Sequence, residues 1–333
     1  MMDEFIANAS WMRDISDGTP MTMLSIPGTH NSCCTKGPLG FGKTQNLDLA
    51  DQLSAGIRFL DIRLTHCQNK LCVHHDVVCT GKGYTEVLDV SDRFLKRHPS
   101  ETILMSVKDE SCCDSAGVKL SPYQAFCKLS IGVENGRENT QPFEDTFKAE
   151  TWDHIGDMPL FYNFAAAPPG TNPASIAPAL TSETTLGEVR GKVVLLRRFE
   201  ASQDVGFDLT YWPENQRFRS STPPFYDVED RYQNPGDDDK FDFVIAHLRE
   251  AERSDPNDLY ITFSSAVGLT ARGSEYSNTI NPRLNDYLAR SRHGRVGIIV
   301  MDFFEHPREL VSNVIKTNFP TGVIGDHDGR HAA

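Results

Sequence analysis

"NLDLADQLSAGIRFLDIRL", residues 46–64, changes its period half-way along. Leu47, Leu49 or Ala50, and Leu53 fall near one face of a helix, and Gly56 closes it. From Ile57 onward the period becomes two. Leu60 and Ile62 lie on one side of a strand, Asp61 and Arg63 on the other. A helix running straight into a strand is the repeating unit of an α/β protein.

The same alternation extends in both directions. Strand-like runs occur at 21–26 (MTMLSI), 70–75 (KLCVHH), 101–107 (ETILMSV), 192–199 (KVVLLRRF), 259–265 (LYITFSS) and 295–304 (RVGIIVMDFF). Helical patterns at 84–101, 239–253 and 281–294 separate several of them. Strands alternating with helices predict a mostly parallel sheet. Residues 165–185 and 213–239, rich in Pro and small or acidic residues, read as long surface loops. The strand pattern resumes after each, so a single domain is expected over 1–333, with residues 1–20 as a helical lead-in around Trp11 and Met12.

Most strands end in polar residues. In "LSIPGTHNSC", residues 24–33, a strand ends at Pro27-Gly28, which is expected to turn the chain and present His30. The others end at Asp61 with Arg63, at His75, at Lys108 with Glu110, at Arg198, at Ser264 with Ser265, and at Asp302. One charge at a strand end ordinarily marks only the start of a loop. Repeated along successive strands, it describes the mouth of a parallel α/β barrel, where carboxyl ends converge on one face. Two histidines, two arginines, a lysine and several carboxylates around one mouth suit acid–base chemistry on an anionic substrate.

Bulk properties narrow the class. The net charge of −13 argues against nucleic acid, which needs a basic face. No apolar run approaches the ~20 residues that span a bilayer, and the first residues lack the pattern of a secretory signal. The expectation is a cytoplasmic protein or a secreted one whose signal has been removed. Of eight cysteines, Cys67, Cys72 and Cys79 lie near His66, His74 and His75, but the spacing matches no common zinc site. Buried thiols are expected, or a hairpin disulfide joining Cys79 to Cys67 or Cys72.

"SIPGTHNS", "GIRFLDIRL", "VHHDVV", "HPSETILMSVKDE", "GKVVLLRRF", "YWPEN", "VEDRYQ", "LYITFSS" and "RVGIIVMDF" occur in this order. Together they resemble the bacterial-type phosphatidylinositol-specific phospholipases C, the single X-domain family, from about Trp11 to Asp302. The resemblance implies a distorted, incompletely closed TIM barrel. It implies a lyase that cleaves phosphatidylinositol to diacylglycerol and inositol 1,2-cyclic phosphate, as free lipid or as a glycosylphosphatidylinositol anchor. It also implies the roles. His30 is the general base, Asp302 its partner, Arg63 the phosphate-neutralising guanidinium held by Asp61, and His75 the general acid. Lys108, Glu110, Arg198, Asp230 and Tyr232 line the inositol site, with Tyr232 stacking on the ring. The partner is a membrane interface approached peripherally, and the expected state is a monomer without a cofactor.

Two departures qualify the resemblance. The metal-independent enzymes usually carry Asp after the catalytic histidine, where this chain has Asn31. That Asp supports the general acid, so Asn31→Asp is expected to broaden the alkaline limb through His75. Asn at this place is similar to the calcium-dependent branch, where it helps bind the metal. That branch has a carboxylate where Arg63 stands, so a metal-independent site, with Asn31 on the substrate side, is the reading adopted. The rim stretches 37–45 and 267–277 lack tryptophan and offer Leu39 and Phe41 as apolar membrane contacts. A calcium-dependent or a glycerophosphodiester phosphodiesterase, and a non-catalytic lipid-binding module, are the rival readings.

Overall fold

The computed structural model describes residues 8–36, 42–75, 78–111, 139–156, 160–164, 181–201, 205–222, 225–268, 273–290 and 294–319. At 67, 74, 75 and 78–81 the backbone alone is described. The strands are β1 (Ile26–Thr29), β2 (Phe59–Cys67), β3 (Lys70–His75), β4 (Val78–Gly83), β5 (Ile103–Asp109), β6 (Val193–Arg198), β7 (Phe207–Asp208), β8 (Arg217–Arg219), β9 (Tyr226–Glu229), β10 (Leu259–Phe263) and β11 (Ile298–Met301). They form one sheet, nine of them in the order β7-β6-β5-β2-β1-β11-β10-β9-β8, with β3 paired to β2 and β4 to β3 off this path. Every neighbour in this order is parallel except β8, which runs antiparallel to β9. Among the described residues no pairing joins β7 to β8, so the curled sheet stays open, as a distorted and incompletely closed barrel.

The helices are α1 (Leu49–Ser54), α2 (Tyr84–Arg97), α3 (Phe143–Ile155), α4 (Leu186–Val189), α5 (Asp237–Arg253), α6 (Gly273–Arg290) and α7 (Leu310–Lys316). The period-3.6 readings become α1, α2, α5 and α6. On α2 the residues Val87, Phe94 and Leu95 are buried, as their spacing requires. The lead-in is a short 3₁₀ helix at Trp11–Asp14 with Trp11 and Met12 buried. Strands β1, β6, β9, β10 and β11 are buried along their length, because helices and loops cover one face and the barrel interior the other.

Three expectations are corrected. Residues 21–23 form a 3₁₀ turn rather than a strand, and Pro27-Gly28 lies inside β1 instead of ending it. Gly28 is there because β2 passes close: a Cβ would stand 2.8 Å from the Cβ of Phe59. The chain turns at Asn31, whose φ of 43° is one that asparagine tolerates better than most residues. Next, β3 is not a barrel strand. It folds back antiparallel on β2, pairing Leu64 with Val73. This hairpin returns the end of β3, with the backbone of His75, toward the level of Arg63. Finally, the presumed loop 213–239 contains β8 and β9, the latter a barrel strand hidden in four residues between polar segments.

Candidate active site

Register does most of the positioning. Thr29 pairs with Met301 across β1 and β11, so the next residues, His30 and Asp302, leave the sheet side by side. Arg63 pairs with Lys108, and Lys108 with Arg198, which sets three cations in one row across β2, β5 and β6. Asp230 follows β9, and Trp212 and Glu214 reach in from the loop before β8.

Nδ1 of His30 lies 2.8 Å from Oδ1 of Asp302. Asp302 is 2 % exposed, and a carboxylate accepts only, so Nδ1 carries a hydrogen, and in the neutral ring Nε2 keeps its lone pair. The turn that holds the ring is fastened from behind. Gln45 donates from Nε2 to the carbonyls of both His30 and Met301, each at 2.9 Å. Thr29 donates to Oε1 of Gln52 at 2.8 Å, its hydroxyl also lies 2.8 Å from that of Ser32, and Asn281 donates to the carbonyl of Asp302 at 2.9 Å.

Asp61 is the hub. Its Oδ2 accepts from the backbone N–H of Asn31 and from Nε of Arg63, both at 3.1 Å. Burial alone would raise its pKa, but Arg63 and Arg198 outweigh burial and hold the carboxyl well below the usual range. Arg63 donates through Nη1 to Glu110 at 2.9 Å, and Lys108 shares the same Glu110 oxygen at 3.3 Å. Lys108 also faces Glu214 at 3.6 Å, and Glu214 accepts from the hydroxyl of Tyr232 at 2.7 Å. On the other side the Arg198 guanidinium stacks on Trp212 at 3.7 Å, and Trp212 Nε1 donates to Asp230 at 2.8 Å. Burial raises the Asp230 pKa and lowers that of Arg198.

The structure therefore joins His30, Asn31, Asp61, Arg63, Lys108, Glu110, Arg198, Asp230, Tyr232 and Asp302 in one contiguous site. The side chain of His75 lies outside the described residues, as do Leu39 and Phe41. Ser264 is buried and turned to the Val300 carbonyl, and Ser265 is buried as well. Sequence reasoning missed Gln45, Trp212 and Glu214. For the last two, "YWPEN" was the available signal, an aromatic and a carboxylate in a loop without periodicity.

Four buried polar atoms at this mouth have no hydrogen-bond partner among the described residues: Oδ1 of Asp61, Oδ1 of Asn31, and Nε and Nη1 of Arg198. Two of these, Oδ1 of Asp61 and Nη1 of Arg198, face each other as an ion pair at 3.6 Å. Oδ1 of Asn31 and Nε of Arg198 are left, and since a buried unsatisfied group costs roughly 1–3 kcal/mol, they suit the mouth to a polar ligand. The described residues contain no group of three or more His, Cys, Asp or Glu that could hold a metal. Asp61 and Glu110, the two carboxylates best placed for one, already flank the Arg63 guanidinium. Cys33 and Cys34 are buried, and burial pushes the Cys33 thiol up to about 12. The disulfide pairings considered for Cys79 fall outside the described side chains.

Residues 18–122 match the family described as phosphatidylinositol-specific phospholipase C, X domain. The likeness then continues through the rest of the chain. A 1-phosphatidylinositol phosphodiesterase of Listeria monocytogenes is 25 % identical over 94 % of this chain and 86 % of its own length. One of Staphylococcus aureus is 27 % identical over 93 % of this chain and 94 % of its own. Over nearly its whole length the chain is thus similar to bacterial 1-phosphatidylinositol phosphodiesterases. A crystal structure of the Staphylococcus aureus phosphatidylinositol-specific phospholipase C superposes with a TM-score of 0.74 at 26 % identity, covering 95 % of this chain and 99 % of that one. The open barrel is thus the fold of that phospholipase C structure. Among the described residues, no helix is long and apolar enough to cross a membrane.

Proposed function

We propose that this chain is a phosphatidylinositol-specific phospholipase C that acts peripherally on membranes and releases diacylglycerol and inositol 1,2-cyclic phosphate. The observation that carries this reading is the continuous contact from the His30–Asp302 pair through Asn31 and Asp61 to Arg63 and Arg198. Nε2 of His30 takes the proton of the inositol 2-hydroxyl, and Asp302 stabilises the imidazolium that forms. The freed oxygen attacks phosphorus. Arg63, charged and held between Asp61 and Glu110, neutralises the phosphate oxygens as charge builds. His75 protonates the departing diacylglycerol oxygen. Lys108, Glu110, Arg198, Asp230 and Tyr232 hold the ring, and the buried Asp230 disfavours phosphates on it.

The test is turnover of phosphatidylinositol in excess chelator. Native protein is expected to form the cyclic phosphate at an unchanged rate, and His30→Ala and His75→Ala to remain folded and lose measurable turnover. A chelator-sensitive rate that calcium restores would favour a calcium-dependent enzyme. Binding to phosphatidylinositol vesicles without any turnover would favour a lipid-binding module.

A further inference from the structure

Asn31 is held more tightly than a turn residue needs to be. Its side chain is 2 % exposed. Its backbone N–H donates to Asp61 Oδ2 at 3.1 Å, and its carbonyl accepts from Thr44 Oγ1 at 3.0 Å and from the Cys34 N–H at 2.9 Å. The left-handed φ of 43° aims the carboxamide back along the turn, and Nδ2 stops 3.2 Å from Nε2 of His30. The amide could in principle be placed either way round, but the ring decides. In the neutral ring, the form in which a general base acts, Asp302 fixes the hydrogen on Nδ1, so Nε2 accepts and the Asn31 NH₂ donates. Oδ1 then points away from the ring, buried and without a hydrogen-bond partner among the described residues.

We propose that Asn31 is a positioning residue of the general base: its amide hydrogen-bonds the Nε2 lone pair of His30, fixes the reactive tautomer from the side opposite Asp302, and gives way to the substrate hydroxyl. This rests on the phospholipase C reading and adds to it. A hydrogen bond donated into a lone pair favours the neutral ring. The amide therefore keeps the base ready in the resting site. Its orphaned Oδ1 is an acceptor for a second hydroxyl of a polyol substrate. Among the described residues, the charged groups around the ring include Asp302 after β11, Asp61 and Arg63 on β2, Arg198 on β6, and Lys240 on α5 behind Asp302. Of these, Asp302 and Asp61 favour the imidazolium, while Arg63, Arg198 and Lys240 oppose it.

The position of the amide separates two roles. A residue serving the base moves the acidic limb of kcat/KM, because the base must be unprotonated in the free enzyme. A residue serving the acid moves the alkaline limb. Asn31→Gly keeps the left-handed backbone and removes the amide, and Asn31→Asp replaces a donor by a carboxylate that favours the imidazolium. Both are expected to shift the acidic limb to higher pH. Asn31→Asp should do so by about one unit, a roughly tenfold loss of kcat/KM on the acid side, with native-like circular dichroism. A second readout needs no turnover: in ¹⁵N-histidine spectra of the unliganded protein, the unprotonated Nε2 of His30 should lie upfield in native protein of its place in Asn31→Gly. An acidic limb that stays in place in both variants, or an Nε2 resonance indifferent to Asn31→Gly, overturns the proposal. Native protein inert towards phosphatidylinositol would overturn the functional reading alone, and the resonance would still decide this one.

Discussion

Lys240 has no exposed surface, although it follows three aspartates in the first turn of α5. Its Nζ donates to the carbonyl of Arg231 at 2.9 Å, between Asp230 and Tyr232, and so fastens the ring-binding segment to the helix. Burial pushes the ammonium down to about 8, against Glu229 and Asp230, which favour the charge. An unfolded lysine titrates near 10.5. Between pH 8 and 10.5 the unfolded chain thus binds more protons than the folded one, and this group makes the fold more stable as pH rises. The increment is about 3 kcal/mol once the whole window is crossed. Tyrosines act in the opposite sense at the top of this range, so the quantity to measure is a difference. The urea stability of native protein minus that of Lys240→Met is expected to grow by that amount from pH 7.5 to 10.5. A difference that does not change with pH would mean that the lysine is not held as an unfavourable buried charge. Nothing in "DDDK" announces a buried cation, because its partners are a carbonyl and carboxylates brought in from β9. Asp61 and Arg63 are the opposite case: a period of two places them on one face whatever the rest of the chain does.

At the scale of elements, β1 shows where local reading stops. Pro-Gly is a turn signal in most contexts. Here Pro27 pairs with Ile299, and Gly28 lies where only hydrogen fits against Phe59. That requirement is set by a neighbouring strand, so no window around residue 28 contains it. The four-residue β9 was likewise masked by its polar flanks, whereas the helical spacing of α2 is intrinsic to its own residues. Gly28→Ala follows as a test. Phe59 is fully buried and cannot retreat, so β1 and β2 must separate. Overpacking of this kind costs about 1–3 kcal/mol. The same displacement moves His30 relative to Arg63, and an error of ~1 Å in a reacting geometry can cost about 100-fold in rate. The expected result is a modest fall in Tm with a disproportionate fall in kcat. Adding Phe59→Leu should restore part of both, and a kcat at the native level in Gly28→Ala would show that β1–β2 spacing does not set the geometry of the base.

Across the whole molecule, chemistry and cohesion occupy opposite ends of the barrel. The mouth carries polar atoms left unsatisfied, while at the floor Arg58 and Glu101 are completely buried and fully used. Arg58 donates to Glu101 at 2.8 and 3.0 Å, to the Leu53 and Ile57 carbonyls at 2.7 Å, and to the Ala9 carbonyl at 2.7 Å, and it lies over Phe94 at 4.5 Å. Glu101 also accepts from the N–H of Met12 at 3.3 Å. One ion pair thus ties the lead-in, α1, α2 and the entries to β2 and β5 together. It was not legible in the sequence, since its partners stand 43 residues apart and match no period. Replacing such a pair with apolar groups can be neutral, but removing one partner strands a buried charge at about 3–5 kcal/mol. Glu101→Ala should therefore lower the urea midpoint by the equivalent of that amount. Because the floor lies a strand's length from His30, kcat of the folded fraction should stay within about twofold of native, less than 0.5 kcal/mol. Arg58→Met with Glu101→Leu should recover most of the lost stability. A midpoint unmoved by Glu101→Ala would mean that backbone carbonyls alone satisfy Arg58, and that the pair does not hold the floor together.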